Sequence, residues 1–201
     1  MTTRAWEWTV RATPGGKVAV TNRTDAELVA AVLAGNRDAF DGIVERHRRQ
    51  VYQLCYRFVG NHEDASDLAQ DVFIRAFKSL RTYKGDAALG TWLYRIAVNV
   101  SLNKVSSKSA RPEPLDALLS ANDLRAASGD ESASDAVLRY ERAAQVRTAI
   151  ARLPKKQRAT LILRIYHDLP HEQIAGILGS SVGAVKANFF HALNNLKKLL
   201  S

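Results

Sequence analysis

A single cysteine, Cys55, stands in the 201 residues, which rules out a disulfide within the chain and any multi-cysteine zinc site. No apolar run approaches the roughly 18 residues needed to cross a bilayer, so direct membrane insertion is not expected. The N-terminus has no signal-peptide core, because Glu7, Thr9, Arg11 and Pro14 interrupt its apolar residues. These absences point to the cytoplasm. A glycine-rich phosphate loop, a nucleophile elbow and a zinc-binding pair of helical histidines are also missing. The five histidines are scattered, and Cys55 falls on an apolar helical face, where a cysteine acts as a small hydrophobe. The chain is therefore expected not to be an enzyme. It should have no catalytic residue, metal, cofactor or small-molecule substrate.

Positive charge is plentiful, and its placement is uneven. The formal net charge is +9, from 29 Lys+Arg against 20 Asp+Glu, which favours a polyanionic partner. Residues 1–111 hold 17 basic against 11 acidic residues, 112–135 one against six, and 136–201 eleven against three. Two basic blocks thus flank an acidic stretch rich in Ser, Ala and Asp, whose composition suits a mobile linker. The expected organisation is a poorly ordered extension over 1–23, a first domain over 24–110, a linker over 111–135 and a second domain over 136–201.

Apolar periodicity indicates helices throughout, with no strand pattern. Thr24 and Glu27 match a capping box opening a helix with Leu28, Val29, Val32 and Leu33 inside and Gly35 at its end. A longer helix buries Phe40, Ile43, Val44, Val51, Leu54, Cys55 and Phe58 and stops at Gly60. A third, from about His62 to Leu80, buries Ala65, Leu68, Val72, Phe73, Ala76, Phe77 and Leu80. After a loop from Arg81 to Gly90, Thr91 can cap a fourth helix containing Trp92, Leu93, Ile96, Ala97 and Val100. The second block adds helices over about Ala136–Leu153 and Lys155–Tyr166. Then Leu169 to Lys186 outlines a helix-turn-helix, with Pro170 opening the first helix, Glu172 in its first turn and Gly179 ending it. Its second helix, about Val182–Leu199, should face Val185, Phe189, Leu193 and Leu196 inward. The fold class is all-α, in two small helical domains.

Three surfaces are candidates for function. The helix-turn-helix presents Lys186, Asn188 and His191 to a DNA groove, although an ordinary helical hairpin would look similar. On the third helix Asp67, Gln70, Asp71, Arg75 and Lys78 recur opposite the apolar stripe, a pattern a merely solvated face would share. On the fourth, Arg95, Asn99 and Asn103 are spaced by four and share a face. Asparagine forms helices poorly, yet its side chain offers a donor and an acceptor that suit base edges. The preceding loop joins an aromatic, a cation, two glycines and small residues, which would let its backbone approach a splayed base. On residues alone, an autonomous helix-turn-helix regulator or a pure interaction module remains open.

Asp67–Phe77, then Tyr83-Lys84-Gly85-Asp86, then Thr91–Asn99, resemble the signature of bacterial extracytoplasmic-function (ECF) sigma factors, and Leu153–Arg158 with the helix-turn-helix resembles that family's second domain. The resemblance implies that Asp67, Gln70, Asp71 and Arg75 dock on the core RNA polymerase, whose beta and beta-prime subunits are the expected partners. It implies that Tyr83, Lys84, Gly85, Asp86, Ala87, Leu89, Arg95, Asn99 and Asn103 open and read the downstream (−10) promoter element. It implies that Lys186, Ala187, Asn188, Phe190 and His191 read the upstream (−35) element. An anti-sigma factor is a further implied partner. Many relatives carry arginines where Asn188, His191 and Leu193 stand, which implies a different or weaker upstream preference.

Overall fold

The computed structural model describes residues 23–108 and 133–201. The expected extension, up to residue 22, and the linker up to residue 132 lie outside the described residues. Eight α-helices and one 3-10 turn are present among the described residues, and no strand. They are α1 (Asp25–Leu33), α2 (Ala39–Val59), α3 (His62–Ser79), the 3-10 turn Leu80–Thr82, α4 (Leu89–Lys108), α5 (Ala133–Ala151), α6 (Lys155–Tyr166), α7 (His171–Leu178) and α8 (Val182–Leu200). By contact the chain divides into two compact units, one ending at Arg46 and the other His47–Ser201.

In the first unit the capping box forms as expected. The Glu27 backbone N–H donates to Thr24 Oγ1 at 3.3 Å, and the Thr24 N–H donates to Glu27 Oε2 at 2.6 Å. That backbone hydrogen bond from Thr24 is the main reason the Glu27 carboxyl is held below its ordinary value. Arg46 of α2 pairs with Asp25 at 2.5 Å and donates to the Arg23 carbonyl, tying down the start of α1. Leu28, Val29, Phe40 and Ile43 are buried, whereas Leu33 is exposed, contrary to expectation. Thr24→Ala should destabilise the protein by about 1 kcal/mol, the usual worth of an N-cap hydroxyl. Urea unfolding would show it, and an unshifted midpoint would mean that water replaces the cap at no cost.

In the second unit, Gly60 at φ 78° ends α2 and turns the chain into α3. Asn61 caps α3 through Oδ1, which accepts from the Asp64 N–H at 2.8 Å. The buried face of α3 is Ala65, Leu68, Ala69, Val72, Phe73 and Ala76, but Phe77 is 40% exposed. Phe77 lies at the margin of the stripe, and the smaller Ala76 takes the inward position. The fourth helix begins at Leu89, two residues before the expected cap Thr91, which lies within its first turn. The Trp92 N–H bonds the Ala88 carbonyl at 3.1 Å, and Leu89 is buried, so an apolar anchor rather than a hydroxyl sets this start. The buried surface of α4 is broader than one stripe, adding Tyr94, Val98 and Ser101, because α4 packs on α3 with one side and on α7 with the other.

Helix α5 opens at Ala133, three residues earlier than the sequence suggested. In α6 the six residues Arg158 to Leu163 are all buried, as befits a helix enclosed by α7 and α8. Gly179, at φ 56° and ψ 45°, supplies the left-handed turn of the helix-turn-helix, and Ser181 caps α8 by accepting from the Ala184 N–H at 3.2 Å. Ile174, Ala175, Ile177 and Val185 close this core. Leu193, expected inside, is 44% exposed because its neighbour Ala192 occupies the inward position at full burial.

Candidate functional site

The outer face of α3 carries Asp67, Gln70, Arg75 and Lys78 exposed and Asp71 half-buried. Arg75 grips Asp71 one turn back, its Nε 3.1 Å from both carboxylate oxygens and an Nη 3.0 Å from Oδ2. Such a pair contributes only a few tenths of a kcal/mol to an exposed helix, about 0.2–0.5. Its greater effect is to hold two charges in fixed positions. Ile74 and Phe77, 46% and 40% exposed, lie on the same outer side. Sequence reasoning gave Ile74 no role and buried Phe77. The available signal was the apolar residue at 74, four beyond Gln70 and three beyond Asp71. A face of fixed charges around exposed apolar side chains is suited to a protein partner.

Between the 3-10 turn and α4 the loop folds on itself. The Tyr83 hydroxyl donates to the Ala87 carbonyl at 2.7 Å, and its ring centroid is 5.5 Å from that of Trp92, tilted by 51°. Gly85 sits at φ 81°, a left-handed conformation in which a side chain would be strained. Lys84, Gly85, Asp86, Ala87 and Ala88 are exposed. Leu89 is 1% exposed, so it anchors the loop from below and is not part of its outer surface. Arg95, Asn99 and Asn103 are all exposed along one face of α4, beside this loop. Each can therefore present its polar groups to a strand laid along the helix.

On α8, Lys186, Ala187, Phe190 and His191 are exposed, and Asn188 is half-buried. Phe190 is 61% exposed, the highest value for any large apolar side chain among the described residues, and meets the His191 ring edge-on at 5.8 Å. An exposed aromatic beside a lysine and a histidine suits apolar contact with a thymine methyl flanked by phosphate contacts.

Among the described residues no group of three His, Cys, Asp or Glu could hold a metal ion, and no helix is long and apolar enough to cross a membrane. Cys55 is fully buried, and burial pushes its thiol up to about 11, so it stays protonated in the core.

Two family models match the chain: Sigma-70 region 2 over residues 43–111, and Sigma-70, region 4 over residues 143–196. The RNA polymerase sigma-H factor of Pseudomonas aeruginosa is 35% identical over 187 residues, covering 90% of this chain and 96% of that protein. The ECF RNA polymerase sigma factor SigW of Bacillus subtilis is 32% identical over 178 residues, covering 86% and 94%. Among solved structures, CnrH in complex with the cytosolic domain of CnrY shares the fold with a TM-score of 0.63, at 24% identity over 88% of this chain and 96% of that one.

Proposed function

Because the chain belongs to the ECF family of RNA polymerase sigma factors, we propose that it binds core polymerase and selects promoters through two separate DNA-reading surfaces. The carrying observation is that the Arg95–Asn99–Asn103 stripe and the residues Lys186, Ala187, Phe190 and His191 are exposed, on different helices of one chain. In this reading residues 24–110 form the polymerase-docking and −10 domain, and 136–201 form the −35 domain. Basic residues hold phosphates and so set the register of the duplex, while a few side chains specify bases. Unstacking a base costs a few kcal/mol, and its capture by the Tyr83–Ala88 loop offsets part of that cost without nucleotide hydrolysis. The protein acts in the cytoplasm, where polymerase works, and adds sequence choice rather than a reaction of its own.

The charged face of α3 docks on the beta and beta-prime subunits. Asp71→Lys reverses one member of the Asp71–Arg75 pair and should weaken core binding by about tenfold or more, since a like-charge juxtaposition at an interface costs several kcal/mol. The circular-dichroism spectrum should not change. An unchanged core affinity would place docking elsewhere. An anti-sigma protein is proposed to inhibit the chain by covering this face, with its exposed Ile74 and Phe77, together with α8. Support comes from a fold shared, at a TM-score of 0.56, with the sigma factor RpoE of Bartonella quintana, solved in complex with the anti-sigma factor NepR. Run-off transcription with core polymerase tests the function as a whole: discrete promoter starts dependent on this chain are expected. Duplex binding without co-elution on core polymerase would instead make it an autonomous regulator.

A further inference from the structure

The buried surface of α4 stops short of the end of its polar stripe. Leu93, Tyr94, Ala97, Val98, Val100 and Ser101 are buried, but beyond Ser101 none of the described side chains of α4 is. Leu102, Lys104, Val105 and Ser106 are half-buried, and Asn103 is exposed. The helix nevertheless runs on to Lys108. A helix end with so little apolar contact opens easily, because tertiary burial supplies most of a protein helix's stability. Asn103, the last residue of the Arg95–Asn99–Asn103 stripe, lies in that weakly buried part.

Charge takes over where apolar burial ends. Lys104 Nζ lies 3.2 Å from Asp64 Oδ1 at the head of α3, with the Asp64 side chain only 14% exposed. Asp64 is itself held in place. Its backbone N–H donates to Asn61 Oδ1 at 2.8 Å, and Asn61 Nδ2 donates to its Oδ2 at 2.6 Å. A carboxylate this sheltered is costly to leave without its cation, so the pair holds more firmly than one in open water. A lysine next to a strand-reading residue would ordinarily be assigned to a phosphate. The Lys104 ammonium is turned to α3 instead. The helix proposed to dock on polymerase and the helix proposed to read the strand are thus joined at a charged point.

We propose that Lys104 is a positioning residue for promoter reading and not a phosphate contact: its tie to Asp64 fixes the last turns of α4 and so sets where Asn103 meets the strand. The tie stands on the geometry alone, while its purpose rests on the sigma-factor reading. Hydrogen bonds to a base edge tolerate little displacement, since donor and acceptor must stay about 2.7–3.2 Å apart. A helix end that drifts by an ångström therefore loses the contact. Two consequences separate this role from a phosphate contact. A lysine that neutralises a phosphate adds about one unit to the salt dependence of binding, whereas a lysine held by a carboxylate adds none. Removing Asp64 would release a phosphate-binding lysine to the DNA and strengthen binding. Under the positioning role the same change frees the end of α4 and weakens reading.

The test uses the full chain with core polymerase and a promoter duplex. Lys104→Met keeps the aliphatic stem and removes the charge. Asp64→Asn removes the opposite charge, yet its side-chain oxygen can still accept from Asn61 and the backbone cap stays. Each should slow open-complex formation by about fivefold, as the loss of a base contact in Asn103→Ala would. Core affinity and the salt dependence of promoter binding should not change. Lys104→Arg should restore melting. Lys104→Met combined with Asn103→Ala should be no slower than Asn103→Ala alone, because both act through one contact. Amide exchange over residues 102–106 of the free chain, which needs no promoter, should quicken in Lys104→Met and in Asp64→Asn. A salt dependence lower by about one in Lys104→Met, or tighter promoter binding by Asp64→Asn, makes Lys104 a phosphate contact and overturns the proposal. Unslowed melting, or a loss that simply adds to that of Asn103→Ala, overturns it as well. Unchanged exchange overturns the tie itself. Quickened exchange in a chain that does not bind polymerase supports the tie and overturns the sigma-factor reading.

Discussion

Asn99→Ala should cut open-complex formation at a cognate promoter by about tenfold or more, since losing one good base contact costs about 1–3 kcal/mol. Asn99 is exposed in the middle of α4, one turn from exposed Arg95 and one turn from exposed Asn103. Its removal deletes a donor and an acceptor from a single face while the buried Val98 and Val100 keep the helix in place. Fold and base contact are thus separable at this position. On a template premelted at the downstream element the defect should shrink if the side chain assists opening, and persist if it only reads the base. Asn188→Ala should behave differently, weakening closed-complex binding and barely responding to premelting. Its half-buried position makes its effect smaller than one at a fully exposed reading residue. Permanganate reactivity of single-stranded thymines distinguishes these cases. Wild-type melting by Asn99→Ala would move the downstream reading surface off α4.

The largest effect on stability is expected from Phe58→Ala. Phe58 is 1% exposed at the end of α2, in the apolar row of Val51, Leu54 and Cys55. Phe-to-Ala changes in packed cores cost about 3–5 kcal/mol, combining the lost transfer energy with the cavity left behind. Against a total of about 5–15 kcal/mol for a typical domain this is about a fifth of the margin or more. The Arg158 guanidinium also lies 5.9 Å from this ring, so the cavity would loosen the arginine held by the Phe58 carbonyl. Urea unfolding should show the midpoint falling steeply. A loss below about 1 kcal/mol would mean that the surroundings collapse into the space.

Local chemistry was the readable part of this sequence. The Thr24–Glu27 box, the stops at Gly35 and Gly60, and the left-handed Gly179 all depend on residues within a few positions of one another, and all stand as their residue types dictate. The start of α4 did not follow from such chemistry. Ala87 and Ala88 offer no side-chain cap, so Thr91 looked the better candidate. Burial of Leu89, a tertiary effect, placed the first turn ahead of it. Phe77 and Leu193 were misplaced for a shared reason: each adjoins an alanine that takes the inward position, so the larger side chain turns outward. The exposure of Arg95, Asn99 and Asn103 followed from simple four-residue spacing. Nothing local indicated that Arg158 would meet the Phe58 carbonyl, 100 residues away in sequence.

On the proposed reading, in which the Tyr83–Ala88 loop captures an unstacked base, the hydrogen bond from Tyr83 to the Ala87 carbonyl has a thermodynamic consequence for promoter choice. Fixing one residue's backbone costs about 1–2 kcal/mol of conformational entropy. A loop that closed only around its base would subtract that cost, several times over, from every binding event. In this chain the closure, with Gly85 already left-handed and Leu89 pinned beneath, is met once during folding. The affinity gained from a base is then less diluted by ordering, and a poorly fitting base finds a loop that does not mould itself to it. Discrimination between promoters should therefore appear in how quickly wrong sequences are released rather than in how quickly any sequence is found.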